Sequence, residues 1–568
     1  MDNSKSKGSE PSPSFHEKSI DTKTESSTTA QSSTAPKSTS VETEFVRDAR
    51  FWLIFLSLCS VSLLSALDLG GIGTAGPTIV HALNGQDFTW IASAYALSSS
   101  CTILLSGNLA EIFGRKAIIT GGVLLFGIGS AICGSAKSMA MLIGAVQGAG
   151  GGAIQSLTSI IVSDLVPLRD RGTYSGITGL VWTVGTTSGP FIAGGFSQDA
   201  TWRWLFYINL PLAGLALTLV LIFLRMKAPT GSFRQKIVTI DWIGNIVIIA
   251  STCACLLALT WGGVKFPWSS PRIIAPLVLG VVGFVAALFY ESRWPTRPVI
   301  PIVVLSNRTS LLGYIQSFIQ GMTTLSVTFY LPTWFQAVKS VSPVLSAVYV
   351  LPLVAMISPF AIVQGVLIGK TGRYRLLNAV GWSLLLLGLG LLISCSVSTS
   401  IGLIVLYQLL MGVGMGVLYS LTFPVLSPLP LALNGPAVAL LTFMRVFSQV
   451  WGVTVGGAIL QNELKRRLPG SILSQIHDSE GQLAYSIVPL VRTLPPNLKF
   501  VAENAFLDSL RILWITLTAC CAVGLLCFVW TKNYPLRQTV DGKWAIDRRL
   551  VNTQPQNSAG EPGPTNKV

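Results

Sequence analysis

The chain has 568 residues, of which 50% are hydrophobic and only 11% are charged. Many apolar stretches approach the roughly 20 residues that a helix needs to cross a bilayer, and no soluble core could absorb so many of them. The formal net charge is +15, which lysine and arginine in cytosolic loops explain better than nucleic-acid binding does.

The sequence carries no recognisable chemistry for a reaction on a substrate. All nine cysteines lie in apolar stretches, and the three histidines are scattered, so we expect neither a disulfide framework nor a metal site. A P-loop for ATP and a paired-carboxylate or Ser/His/Asp site are also missing. We therefore expect a protein that is not an enzyme, needs no cofactor, and draws its energy from an ion or substrate gradient.

In chain order, residues 1–46 are rich in Ser, Thr and Lys, and they predict a disordered cytosolic tail. About fourteen apolar spans follow, and residues 533–568 form a second polar tail. The spans are centred near positions 62, 99, 125, 151, 184, 215, 251, 282, 322, 355, 386, 411, 447 and 521. The pattern predicts an all-α membrane protein.

The distribution of cations predicts the orientation. Loops after even-numbered spans carry clusters such as Arg115-Lys116 and Arg373-x-Arg375, whereas most loops after odd-numbered spans carry few cations. Because cations favour the cytosolic side, both termini and the even loops are predicted to be cytosolic. The long segment 461–508 would then lie outside despite its Lys and Arg residues, but long loops follow the rule poorly.

Two internal echoes predict a repeated architecture. The loop from Gly107 to Lys116 and the loop from Gly365 to Arg375 share a glycine that precedes a Gly-Arg pair. Three glycines of the fourth span, from Gly148, recur in the twelfth span from Gly412. Both echoes pair span n with span n+8. We therefore predict a six-helix bundle over 47–228, two inserted helices over 229–296 and a second bundle over 297–532.

The two loops are candidates for a cytosolic gate. Glycine allows the tight turn, and Glu111 can pair with Arg115 or with a neighbouring helix end. A plain membrane anchor is the alternative, but an anchor needs no glycine spacing. We expect Arg115→Ala to impair transport without loss of protein, since an exposed contact contributes under about 1 kcal/mol. The complete gate set is Gly107, Glu111, Gly114, Arg115, Lys116, Gly372 and Arg373.

The fifth span carries small residues at four-residue spacing. Gly185 and Gly189 allow close helix packing, and Pro190 permits a bend before Gly194 and Gly195. This pattern fits a helix at a moving interface between the halves or, equally, static packing.

Few polar side chains fall deep within the spans. Asp68 is predicted in the first span, where a carboxylate is costly and is either functional or structurally paired. Arg445 is the other deep charge. Gln147 and Gln408 either line a cavity or bridge helices. These four residues are the candidates for proton coupling and substrate contact.

Several motifs together resemble the major facilitator superfamily. The loop 107–116 is similar to its loop signature, and Gly185 to Gly195 to its "antiporter" motif. Stretches 67–80, 90–95 and 202–211 resemble its fourteen-span drug:proton antiporter branch, and 329–343 resembles fungal members that export toxins and drugs. The chain departs from the family at Gly144, where an arginine associated with proton coupling is usual, and Arg445 is a hypothetical substitute for it.

The resemblance implies an exporter of amphipathic small molecules that works by alternating access and proton antiport. A monomer in the plasma membrane is expected, with small organic substrates, protons and lipid as its partners. An importer, or a vacuolar or vesicle carrier of siderophores or basic amino acids, is the first alternative, and a non-transporting membrane sensor is the second.

Overall fold

The computed structural model describes residues 42–43, 47–83, 88–138, 141–142, 147–227, 229–263, 265–295, 297–470, 487–488 and 490–544. Within these residues every predicted span centre falls in its own long helix. The helices are α1 Ala49–Ala82, α2 Phe88–Phe113, α3 Arg115–Gly134, α4 Gln147–Leu165, α5 Leu168–Asp199, α6 Asn209–Phe223, α7 Trp242–Trp261, α8 Pro271–Arg293, α9 Arg308–Val338, α10 Pro343–Thr371, α11 Tyr374–Ile393, α12 Ile401–Leu418, α13 Asn434–Arg467 and α14 Pro496–Trp530.

In the described part of the chain, eleven helices are long and apolar enough to cross a membrane. The helices α4, α5 and α9 fall below that hydropathy because Gly, Ser and Thr are frequent in them. Each still packs along other helices of its bundle: α4 against α2 and α3, α5 against α1, and α9 against α13 and α14. The all-α membrane fold predicted from the sequence is confirmed.

Local sequence explains where several helices begin and end. Ser342 accepts a hydrogen bond from the backbone N–H of Leu345, and Pro343 occupies the first turn of α10. Gly372 ends α10 in the left-handed region, at φ 67°, and Gly114 separates α2 from α3 at φ 98°. Both signature glycines therefore hold backbone angles that other residues rarely adopt.

The glycine-rich helices α4 and α12 have the same surroundings in the two bundles. A β-carbon on Gly148 would stand 2.6 Å from the carbonyl oxygen of Tyr95 in α2, and one on Gly150 2.5 Å from a backbone nitrogen in α3. The corresponding distances are 2.4 Å from Gly412 to α10 and 2.7 Å from Gly414 to α11. The repeat seen in sequence thus corresponds to a repeated packing of three helices.

The inserted helices α7 and α8 pack against each other and against the seam between the bundles. An apolar cluster joins Ile248 and Leu256 of α7 to Leu104 of α2 and Phe443 of α13. Phe284 of α8 also lies against Phe447, with ring centres 5.7 Å apart. The insertion therefore contacts both halves.

Part of the predicted polar tails is ordered. Glu42–Thr43 and Val540–Asp541 form a short antiparallel strand pair, in which Glu42 lies opposite Asp541. Trp544 is buried with 3% exposure. Apolar residues such as Val540 and Trp544 therefore cover a surface of the helical part of the chain.

Candidate functional site

Contacts between the two halves are found at the end of the bundle that carries the turns 114, 166–167 and 372–373. We call this end the basic face, and the charge pattern predicts it to be cytosolic. There a β-carbon on Gly107 of α2 would lie 2.7 Å from the Ala439 side chain of α13. One on Gly365 of α10 would lie 2.2 Å from the Gly172 backbone of α5. The small residues let the halves meet, so the basic face is closed.

The first signature loop builds a buried charge cluster. The Arg115 side chain is 1% exposed, and its Nε donates to Asp164 Oδ2 at 2.9 Å. Its second nitrogen donates to Glu111 Oε1 at 2.5 Å. Gly435, at the start of α13, packs directly on the Glu111–Arg115 pair. The cluster therefore stands where the second half meets the first.

The burial of Arg115 corrects one expectation. A contact in an exposed turn would contribute little to stability, but here the guanidinium has lost its water and is paired with a carboxylate, Asp164, that is itself 3% exposed. Removal of one partner leaves the other as an unpaired buried charge. Loss of Arg115 is thus expected to destabilise the protein as well as to affect transport.

Lys116 has a different role from its neighbour. Its ammonium group donates to the carbonyl oxygen of Leu221 near the end of α6, at 2.7 Å. This contact ties α3 to α6 within the first half. Lys116 therefore holds α3 against α6, whereas Arg115 faces the seam between the halves.

The second signature loop keeps the turn but carries no such cluster. Arg373 is exposed and, in the part of the chain that the structure describes, makes no ion pair. Arg375 donates to the carbonyl oxygen of Val529 at 3.2 Å. Instead of an acid, Gly369 presents its carbonyl oxygen, which accepts from Arg169 Nε of the other half at 2.7 Å.

The C-terminal segment 531–544 crosses both loops. Tyr374, at the start of α11, donates through its hydroxyl to the carbonyl oxygen of Lys532. The Arg169 backbone N–H then donates to the carbonyl oxygen of Arg537 at 3.2 Å. At its end, the Trp544 ring lies 4.0 Å from the guanidinium carbon of Arg115. The segment thus spans from the second half to the buried cluster of the first.

Asp68 lies in a polar cluster inside the first half. It is fully buried, and its Oδ1 accepts from Asn209 Nδ2 at 2.7 Å. Ser130 is shared by Asn209, at 3.3 Å, and by Gln147, at 2.8 Å. Oδ2 of Asp68 has no hydrogen-bond donor among the described residues. Asp68 and Gln147, predicted separately, are therefore brought together.

The other two candidates lie in the second half and apart from that cluster. Arg445 donates to the Tyr419 carbonyl oxygen at 3.3 Å, and its guanidinium lies 4.4 Å from the centre of that ring. Gln408 is fully buried, and neither end of its amide has a partner among the described residues. In this conformation Arg445 makes no ion pair with Asp68.

The first part of the antiporter motif packs closely against another helix. A β-carbon on Gly185 would lie 2.7 Å from the Ala66 side chain, and one on Gly189 2.7 Å from the Leu67 carbonyl oxygen. These glycines pack α5 on the stretch of α1 that carries Asp68, within one half. Pro190 lies inside α5, whereas Gly195 faces open space and Gly194 is half-buried. It is the other end of α5, at Gly172, that meets the second half.

Sequence reasoning missed three residues of these clusters. Asp164 and Asn209 lie near helix ends and were not recognised as partners of Arg115 and Asp68. Trp544 lies in a polar tail, where a tryptophan among polar residues is the only signal. Gly144, the departure from the family pattern, lies outside the described residues.

Comparisons with known proteins agree with this architecture. A family model described as the Major Facilitator Superfamily matches residues 58–453. The chain is 34% identical over 525 residues to the MFS-type efflux pump LUC4 of Fusarium sp, covering 90% of this chain and 93% of that protein. It is 37% identical over 529 residues to the Acurin A biosynthesis cluster MFS-type transporter of Aspergillus aculeatus, covering 89% and 94%.

A solved structure shows the same fold. The proton:xylose symporter XylE, an MFS protein, superposes with a TM-score of 0.54 at 12% identity, over 88% of this chain and 99% of that one.

Proposed function

Because the chain belongs to the major facilitator superfamily, we propose that it is a secondary active efflux transporter for amphipathic small molecules, of the kind made as fungal secondary metabolites or used as drugs. The observation that carries this proposal is the similarity, along about nine-tenths of the chain, to proteins named as efflux pumps. The substrate passes through chemically unchanged. A monomer in the plasma membrane is the simplest arrangement.

The seam at the basic face supports a mechanism of alternating access. In the closed state α2 lies on α13 and α5 lies on α10, with Arg115, Asp164 and Glu111 at the junction. To admit substrate from the cytosol, these contacts must separate. The buried ion pairs have a well-defined geometry that favours one discrete closed arrangement over a continuum of half-open ones.

Proton antiport is proposed to run through Asp68. Its carboxylate is buried, one oxygen is held by Asn209 and the other has no donor in the described part of the chain, which leaves a position for a proton. A charge at this depth is costly, so intramembrane acids commonly serve proton relays. The adjoining Leu67 and Gly71 backbone contacts Gly189 of α5. A change of charge at Asp68 would therefore act on the α1–α5 contact.

Substrate contact is proposed for Gln408, whose buried amide is unpaired among the described residues, and Arg445 supplies positive charge on the same half. Few other charges lie within the spans. A substrate cavity lined by these two residues would accept molecules with a large apolar surface and a few polar groups.

Dye transport into inside-out vesicles tests proton antiport and the role of Asp68 in it. Inside-out vesicles that contain the full chain receive rhodamine 6G and an imposed pH gradient, and dye uptake is measured beside dye binding to the purified protein. We expect Asp68→Asn to abolish gradient-driven uptake and to retain binding, because asparagine keeps the volume and the acceptor for Asn209 but cannot titrate.

Asp170→Asn is the matched control, since Asp170 pairs with Arg47 in a partly exposed site. Full gradient-driven uptake by the Asp68→Asn protein would exclude Asp68 as the proton carrier. If the unaltered protein takes up dye at the same rate with and without the pH gradient, proton antiport itself is excluded.

A further inference from the structure

A cavity of about 320 Å³ opens at the basic face beside the charge cluster. Its walls come from both halves, from the segment that follows the inserted helices and from the C-terminal segment. They include Leu104, Asn108 and Glu111 of α2, Val299, Pro436 of α13 and Lys543. Volumes of this size hold small organic groups.

Two hydrogen-bond donors that line the cavity, Asn108 and Arg297, are available for an acceptor. Asn108 Nδ2 is buried and has no acceptor among the described residues. Arg297 lines the cavity, is exposed, and makes no ion pair within that same part of the chain. Among the described residues that line the cavity, Glu111 is the one acid, and it is already engaged by Arg115 and Lys543. A molecule that completes the site therefore brings negatively charged oxygens.

The remaining walls specify an apolar body for that molecule. Leu104, Ile112, Val299 and Ala439 present hydrocarbon surface to the cavity. The site also lies at the end of the membrane spans, where anionic lipid headgroups are found and where basic pockets between helices bind them. An anionic oxygen group joined to an apolar chain matches both kinds of wall.

We propose that this cavity is a binding site for an anionic amphipathic molecule, with its phosphate or carboxylate at Arg297 and Asn108 and its apolar chain along α2. Binding at this site does not require the proposed function, whereas its effect on closure rests on the proposed separation of α2 from α13. Because α2 and α13 both line it, the site exists only while the basic face is closed. An occupant binds the closed state better and so increases its population.

Lipid retention measured by native mass spectrometry tests the site. The full-length protein is purified with equal amounts of phosphatidylserine and phosphatidylcholine that carry the same acyl chains, or with oleate. We expect phosphatidylserine to be retained preferentially, and Arg297→Gln to lower that retention roughly fivefold, as expected for about one cation near an anionic headgroup.

Two further variants complete the design. Ala432→Leu fills the cavity from an exposed position, and we expect it to lower retention without a change in thermal stability. Arg293→Gln is the matched control, because Arg293 is exposed and lies over Phe289 instead of in the cavity.

Each outcome is decisive. Retention of oleate that Arg297→Gln and Ala432→Leu reduce, without retention of phosphatidylserine, would support the site and identify a free amphipathic acid as its ligand. Equal retention of phosphatidylserine and phosphatidylcholine without oleate retention, or equal effects of Arg297→Gln and Arg293→Gln, would overturn the proposal.

Discussion

The two signature loops have nearly the same sequence pattern and different surroundings. In the first loop, Arg115 is buried between Asp164 and Glu111. In the second, Arg373 is exposed, and the closing contact is made by the carbonyl oxygen of Gly369 to Arg169. The turn glycine is common to both because both turns need a positive φ.

This difference shows what a repeat preserves. Backbone geometry is required twice, so Gly114 and Gly372 both remain. The buried cluster of the first loop also needs two acids beside its arginine, and at the position of Glu111 the second loop has Gly369. The resulting asymmetry gives the first half the charges and the second half the surface that packs on them. Four substitutions would break or sharpen this contrast.

The largest effect is expected from Arg115→Ala. It leaves Asp164 buried without its cation, which costs about 3–5 kcal/mol for a buried pair that loses one partner. We expect a lower apparent melting temperature in detergent, less protein in the membrane and loss of transport. Arg373→Ala in the second loop is the matched control, and its melting temperature should be unchanged.

A second variant distinguishes the effect of the lost charge on transport from its effect on stability. Arg115→Ala combined with Asp164→Asn removes both charges of the pair, so part of the lost stability should return while transport stays absent. The return is incomplete because the buried Arg171 also interacts with Asp164. Equal stability of the unaltered protein and the Arg115→Ala protein would mean that the cluster is solvated in the membrane.

The next effect concerns close approach of the halves. The β-carbon in Gly365→Ala would stand 2.2 Å from the Gly172 backbone, so α10 must move away from α5. Overpacking of this kind typically costs about 1–3 kcal/mol. We expect the basic face to open more often, seen as faster labelling of a cysteine introduced at Ser175, which lies on α5 nearby.

Gly402→Ala is the control for that change, because a β-carbon on Gly402 meets nothing within 4 Å. Labelling at the same rate in both variants would show that the α5–α10 contact is not part of the closure.

The sequence predicted the parts of this fold that depend on composition and period. Apolar length located each long helix, and recurring glycines located the turns and the repeated packing of α4 and α12. Asp68 and Gln147 were identified as deep polar residues, but only the fold links them, through Asn209 and Ser130. The pairing of Arg115 with Asp164 joins two helices, and no local pattern specifies such a contact.

The C-terminal segment is a second feature that sequence alone does not predict. Its composition is polar, so propensity alone favours disorder. Tyr374, Arg169 and Arg115 hold it through contacts that come from three distant parts of the chain. Order there depends on the surface that the two loops form together.

A smaller effect is expected from Trp544→Ala. The indole covers the Arg115 guanidinium at 4.0 Å, an arrangement that contributes about 1–2 kcal/mol when it is desolvated. We expect the C-terminal segment to detach, which hydrogen exchange at residues 532–544 would detect. Trp544→Phe keeps an aromatic face and should exchange more slowly than Trp544→Ala. Equal exchange in all three proteins would show that another contact holds the segment.

The smallest effect is expected from Lys543→Gln. Its ammonium group lies 3.5 Å from Glu111 Oε2, but the lysine side chain is 59% exposed. Exposed pairs contribute under about 1 kcal/mol and weaken in salt. The substitution should therefore lower the melting temperature slightly in dilute buffer and not at all in concentrated salt. Glu111 keeps its contact with the buried Arg115 in this variant, so the cluster itself survives. A large, salt-independent loss of stability would instead make Lys543 part of the closure, and the contrast between buried and exposed cations at the first loop would fail.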